Sequence, residues 1–175
     1  MKNETKNCNN SSYYNLLKNL CNILKERSNK ESSYATFYQS ETVVVNLNDF
    51  FPFNITEPEN EDIFLLDPTT IQVIKSGVYH IIYKIPVQID DKKDSTNQSL
   101  GLYINGVLQK NIQRIFAIKD PCNKNRMFIL EDIVVYVPNN STFQLKNDNF
   151  TSSINSITTY NGEDIYPTFN IVKIG

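Results

Sequence analysis

The sequence has no tryptophan, one histidine, two methionines, three cysteines and five glycines in 175 residues. Each shortage removes a class of chemistry. A single histidine, His80, excludes the jelly-roll metalloenzymes that gather several histidines around one metal. His80 is also the only imidazole base available to a catalytic triad, and no Gly-X-Ser-X-Gly nucleophile motif accompanies it. Gly77, Gly101, Gly106, Gly162 and Gly175 are too scattered to build a phosphate-cradling loop. Cys8, Cys21 and Cys122 cannot all pair within one chain. Cys122 has no activating base nearby in sequence and reads as a loop thiol. Cys8 and Cys21 flank or lie in a predicted helix, and they are the pair suited to an intermolecular disulfide in an oxidising setting. The alternative is three free thiols in a reducing compartment.

Positive charge is also sparse. Arginine occurs only at Arg27, Arg114 and Arg126, the net charge is −2, and no basic stripe forms. No nucleic-acid partner is expected. No run of about 18 apolar residues occurs, so no membrane span is expected. Met1 to Cys8 lacks an apolar stretch, which predicts no secretory signal.

What is present suits a globular chain: 40% hydrophobic, 11% aromatic and 21% charged residues. Residues 1–12 are polar and asparagine-rich and read as a disordered tail. Residues 13–27 read as a helix, with Tyr13, Leu17, Leu20 and Leu24 on one stripe. Two heptads are too short to associate alone, so this helix either packs on its own domain or stands in front of it as an anchoring or oligomerising element; the second is expected. Residues 28–33 form a linker, and 34–175 form an all-β domain.

That domain is organised around Ile71–Ile89. From Tyr79 onward the apolar residues Tyr79, Ile81, Tyr83, Ile85, Val87 and Ile89 fall at every second position, the period of a strand with one buried face. Gly77 punctuates its start, and the preceding Ile71 and Val73 are expected to lie on its partner strand. Pro52 within 49–55 suits an edge or bulged strand. Asn105-Gly106 marks a tight hairpin, because a type I′ turn needs positive φ at both centres. Met127–Val137 is apolar on both faces apart from Glu131 and Asp132, and is expected to be buried on both sides. The last strand is expected over Ile165–Ile174. About ten short strands result, which predicts a jelly-roll β-sandwich.

No enzymatic constellation emerges, so no catalytic residue is assigned. No metal site or cofactor is assigned either. Asp90, Asp91 and Asp94 offer hard oxygen ligands for calcium, but they lack the spacing and glycine of an EF-hand loop and read first as a solvated charge run. Apolar residues on the outward faces of several strands predict cover by another subunit. The candidate contact residues are Tyr34, Tyr38, His80, Ile82, Tyr166 and Val172.

Three segments carry a resemblance: Tyr34-Ala35-Thr36-Phe37-Tyr38, Val45 to Asn54, and Ile71 to Ile85 with its Gly77-Val78-Tyr79 core. With Leu102-Tyr103-Ile104-Asn105-Gly106 and the closing Phe169 to Ile174, they resemble the bacterial C1q/TNF-like jelly-roll superfamily. The exosporium branch of spore-forming bacteria is the most similar: the C-terminal domain of BclA-type collagen-like glycoproteins and the basal-layer protein that anchors them. The resemblance covers residues 34–175. It implies a ten-stranded jelly roll, a homotrimer and no catalytic residues. It further implies a structural role on the spore surface, in exosporium or coat, beside other spore-surface proteins. No Gly-X-Y repeat precedes the domain, which points away from a filament glycoprotein and toward an anchor or basal component. The alternative function is a ligand-binding module of the same fold, lectin-like or adhesin-like.

Overall fold

The computed structural model describes residues 33–88, 100–109, 117–119, 126–148, 156–161 and 165–175. The expected tail and helix lie outside the described residues. So do Cys8, Cys21, Cys122 and the Asp90, Asp91 and Asp94 loop.

Thirteen strands are described. The first five are β1 (Tyr34–Tyr38), β2 (Val44–Asn46), β3 (Ile55–Glu57), β4 (Ile63–Asp67) and β5 (Thr70–Val73). The long β6 (Gly77–Gln88) follows, then β7 (Gly101–Ile104), β8 (Val107–Leu108) and β9 (Ala117–Lys119). A second long strand, β10 (Arg126–Val137), leads to β11 (Ser141–Lys146), β12 (Ser156–Thr158) and β13 (Thr168–Lys173). They form a six-stranded sheet in the order β3-β1-β13-β6-β10-β9, a five-stranded sheet β4-β5-β11-β7-β8, and a two-stranded ribbon β12-β2. The fold is an all-β jelly-roll sandwich with its core between the two larger sheets.

Alternation builds this core. In β6 the odd residues Tyr79, Ile81, Tyr83, Ile85 and Val87 are all at most 3% exposed. Across the ladders their partners Phe169, Ile171, Met127, Ile129 and Ile133 point inward as well. The five-stranded sheet answers with Ile71, Val73, Leu102, Phe143 and Leu145. Phe169 sits at the centre, in ring contact with Phe37, Phe53, Tyr83 and Phe143. Asn105 and Gly106 turn β7 into β8 with φ of 52° and 75°, as the hairpin signal predicts.

The structure departs from the sequence expectations in several places. Thirteen strands stand where about ten were expected, with β2 and β12 pairing as a separate ribbon and β3 adding a three-residue edge. Ile71 and Val73 are not on the partner of β6. Residues 74–76 carry the chain across the sandwich, and β5 pairs with β4 and β11 instead. Ile74 N–H donates to the Asp62 carbonyl at 2.9 Å, which fixes that crossing. Phe51 and Phe53 are core residues and not edge-strand residues; the edge strand starts at Ile55. The last strand begins at Thr168, after Pro167. β10 is interior in its sheet but buried on one face only: Met127, Ile129, Glu131, Ile133 and Val137 face the core, while Val134 and Tyr136 are 61% and 65% exposed.

Candidate assembly face

The outer surface of the six-stranded sheet is set by register. Directly paired residues on antiparallel strands share a face, so each transverse row can be read off the ladders. Tyr34 pairs with Val172, Val172 with His80, and His80 with Val134. The next row runs Glu57, Thr36, Asn170, Ile82 and Asp132. The third runs Ile55, Tyr38, Thr168, Lys84 and Leu130. At the other end, Val78 pairs with Tyr136. Ile174 joins them, since its N–H donates to the Val78 carbonyl at 2.8 Å and Val78 N–H donates to the Gly175 carbonyl at 2.7 Å.

The rows differ in character. Ile174, Val78 and Tyr136, followed by Tyr34, Val172, His80 and Val134, make two adjacent rows that are apolar except for one imidazole. Tyr34 is 49% and Ile174 57% exposed. The face therefore presents contiguous apolar surface over four strands, roughly 14 Å across at the usual strand spacing. The next row is polar. Thr36 Oγ1 donates to Asn170 Oδ1 at 2.8 Å, and Asn170 Nδ2 donates to the Ile82 carbonyl at 3.3 Å. In the third row the Lys84 ammonium lies 4.5 Å from the Phe128 ring centroid, so its charge is shared with an aromatic face.

His80 Nε2 lies 2.6 Å from Asp132 Oδ1, diagonally across the β6–β10 ladder. Among the described residues this is the only hydrogen-bond partner of the imidazole, and no hydroxyl or thiol joins the pair to form a triad. No cluster of three His, Cys, Asp or Glu side chains among the described residues could hold a metal ion. No helix among the described residues is long and apolar enough to cross a membrane.

The structure brings Tyr34, Val172 and His80 into one row and puts Ile82 in the next. Tyr38 lies four residues from Tyr34 along β1, roughly 13 Å away. Tyr166 is not on a ladder of this face. It precedes β13 and, with Tyr38, Ser40, Ile55 and Glu57, lines a cleft of about 280 Å³ on the β3 side of the sheet. Val78, Val134 and Tyr136 were not among the sequence candidates. The signal was available: Val134 and Tyr136 share the even phase of the outward-facing Asp132. Their apolar character made that phase look like a second buried face.

Solved structures similar to this fold include the Eiger TNF of S. frugiperda, at 15% identity over 82% of this chain and 93% of that one, with a TM-score of 0.55. Murine APRIL aligns at 9% identity over 81% of this chain and 100% of that one, with a TM-score of 0.48. Pika GITRL aligns at 11% identity, covering 82% and 97%, with a TM-score of 0.41. The first of these shows a TNF-like jelly roll, and at such identity it shows the fold alone. No family model and no curated protein matches the sequence.

Proposed function

We propose that this chain is a non-catalytic structural module that assembles as a homotrimer through the outer face of its six-stranded sheet. The observation that carries this reading is the pair of apolar rows, Ile174–Val78–Tyr136 and Tyr34–Val172–His80–Val134. Apolar area removed from water is worth about 25 cal/mol per Å², so a contiguous patch of this kind favours a covering partner. A second copy is self-sufficient as that partner, and closed symmetric assembly is the usual outcome for soluble homo-oligomers. Threefold symmetry follows from the resemblance of the sequence motifs to the C1q/TNF-like superfamily. The same resemblance supports a place on the bacterial spore surface, in exosporium or coat, among other spore-surface proteins. Tyr34, His80 and Val172 lie within these rows and Ile82 in the row beside them, with Val78, Val134, Tyr136 and Ile174 added from the ladders. Cys8 and Cys21 are suited to link neighbouring chains covalently.

Light scattering and sedimentation velocity at micromolar concentration test the assembly. A trimer is expected for the parent chain. Val134→Glu and Ile82→Glu each leave an uncompensated charge at the contact, worth several kcal/mol. Both variants are expected to yield folded monomers with the circular dichroism spectrum of the parent. A monomeric parent, or trimers that survive both substitutions, overturns the assembly reading. Immunogold labelling of sporulating cells tests the location, and expression confined to vegetative cells sinks it.

A further inference from the structure

The cleft on the β3 side of the sheet lies away from the apolar rows and has its own chemistry. Tyr38 and Ile55 are direct register partners, so their side chains stand side by side on the outer face. Glu57 follows Ile55 by two residues on the same edge strand and is exposed. Tyr166 closes the opposite wall and is 42% exposed. The walls are fixed from behind. Gln39 N–H donates to the Pro167 carbonyl at 3.1 Å, which seats residues 166–167 beside β1. Ser40 N–H donates to Asn54 Oδ1 at 3.0 Å, and Asn54 Nδ2 donates back to Ser40 Oγ at 2.8 Å.

Along the chain segment that builds most of this cleft, charge is one-sided, while Lys84, the cation in the same row, stands two strands from Tyr38 beyond Thr168 with its ammonium over the Phe128 ring. Every charged side chain from Ser33 to Ile74 is a carboxylate. Asp62 is occupied, with the Lys75 ammonium at 2.6 Å. Glu57 has no hydrogen-bond or ion-pair partner for its side chain among the described residues, and Glu59 and Glu61 are exposed on the loop that follows.

We propose that the cleft bordered by Tyr38, Ile55, Glu57 and Tyr166 docks a lysine or arginine side chain from a basic segment of a protein partner. Two tyrosine rings attract a cation to their faces. The aliphatic stem of lysine or arginine packs on Ile55 and the rings, while its head stays near the open mouth. Glu57 then supplies a charge-assisted hydrogen bond to the ammonium or guanidinium. Anionic segments are repelled by the same carboxylates. The proposal goes beyond the assembly reading and does not depend on it, because the cleft is built from one copy.

The test is fluorescence anisotropy with a labelled, end-capped octalysine peptide, and an octaglutamate peptide as its counterpart, on the full chain at low ionic strength. Saturable binding of octalysine and none of octaglutamate is expected. Glu57→Gln and Tyr166→Ala are each expected to weaken binding about tenfold, the equivalent of losing one charge-assisted or cation–π contact. Tyr166→Phe keeps the ring and is expected to bind as the parent does. Asp67→Asn removes an exposed carboxylate on the opposite sheet and is expected to change binding less than about twofold. Circular dichroism confirms the fold of each variant. Parent-like binding by both Glu57→Gln and Tyr166→Ala overturns the proposal. So does a loss in Asp67→Asn as large as that in Glu57→Gln, which would mean diffuse attraction with no site. Light scattering on the same samples separates the two readings: a monomer that binds octalysine with this mutational pattern removes the trimer and leaves the cleft.

Discussion

Phe169→Ala probes the junction on which the sandwich depends. Phe169 has no exposed surface. Its ring centroid lies 6.4 Å from that of Phe37 on the neighbouring strand and 6.0 Å from that of Phe53, edge-on. It lies 6.1 Å from Tyr83, nearly parallel at 3°, and 6.5 Å from Phe143 on the opposite sheet. Truncating a buried phenylalanine costs roughly 3–5 kcal/mol through lost transfer energy and the cavity left behind. Favourable ring pairs add about 0.5–1.5 kcal/mol each beyond area, so the upper half of that range is expected. The unit 33–175 has about 140 residues, giving an unfolding entropy near 0.3 kcal/mol/K at about 2.1 cal/mol/K per residue. A loss of about 4 kcal/mol then lowers Tm by about 13 °C. Differential scanning calorimetry at fixed protein concentration measures it, since assembly makes Tm concentration-dependent. Phe50→Ala is the reference. Phe50 is half-buried and touches Tyr103 at the periphery, and its loss is expected to cost about 1 kcal/mol. If Phe169→Ala costs no more than Phe50→Ala, the ring does not join the two sheets and the reasoning fails. If Phe169→Ala does not fold, Phe169→Leu supplies the measurement, with a Tm drop still expected to exceed that of Phe50→Ala.

Two further outcomes follow from local geometry. A Cβ at Gly77 would meet the Gly175 carbonyl oxygen and Lys173 Cε at closer than van der Waals contact, just where residues 174–175 close onto β6, so Gly77→Ala is expected to cost about 1–3 kcal/mol in chemical denaturation; a neutral result would show that this closure is soft. Asp62 accepts from the Lys75 ammonium at 2.6 Å and from the Ser33 hydroxyl at 2.9 Å, and the lysine contact foremost holds its carboxyl below the ordinary carboxylate value. A depressed carboxyl stabilises the fold fully above the unfolded value near pH 4, and this is lost as the pH falls through the folded value. The stability gap between the parent and Asp62→Asn is therefore expected to be constant above about pH 5 and to close toward pH 2; a gap that widens in acid contradicts the pairing.

Much of the fold was legible because it rests on short-range pattern. The alternation from Tyr79 to Val87 specifies one inward face, and Asn105-Gly106 specifies its turn whatever surrounds it. The placement of β5 was not legible. Gly77 looks like hairpin punctuation, and it is long-range bonds, among them Ile74 to Asp62, Asn140 to Ile74 and Ser76 to Asn139, that direct the chain across the sandwich. The outward face of β10 is ambiguous in the sequence for a different reason. Val134 and Tyr136 are apolar, and a sequence does not distinguish residues covered by the same chain from residues left open. The cleft was invisible because its walls come from residues 38–40, 55–57 and 166, which are joined by strand register, the Ser40–Asn54 bonds and the Gln39–Pro167 bond.

The first and last described segments leave from the same place. Tyr34 pairs with Val172, and Lys173 N–H donates to the Ser33 carbonyl at 2.9 Å. The two strands are antiparallel neighbours, so a pull separating residues 33 and 175 peels β1 from β13 one bond pair at a time. It does not shear the whole ladder at once. Under tension along the chain this seam is the mechanical weak point, while β6 and β10, paired over twelve residues each, carry little of the load. A tether attached through residue 33 alone spares that zipper, and one that also grips residue 175 opens it.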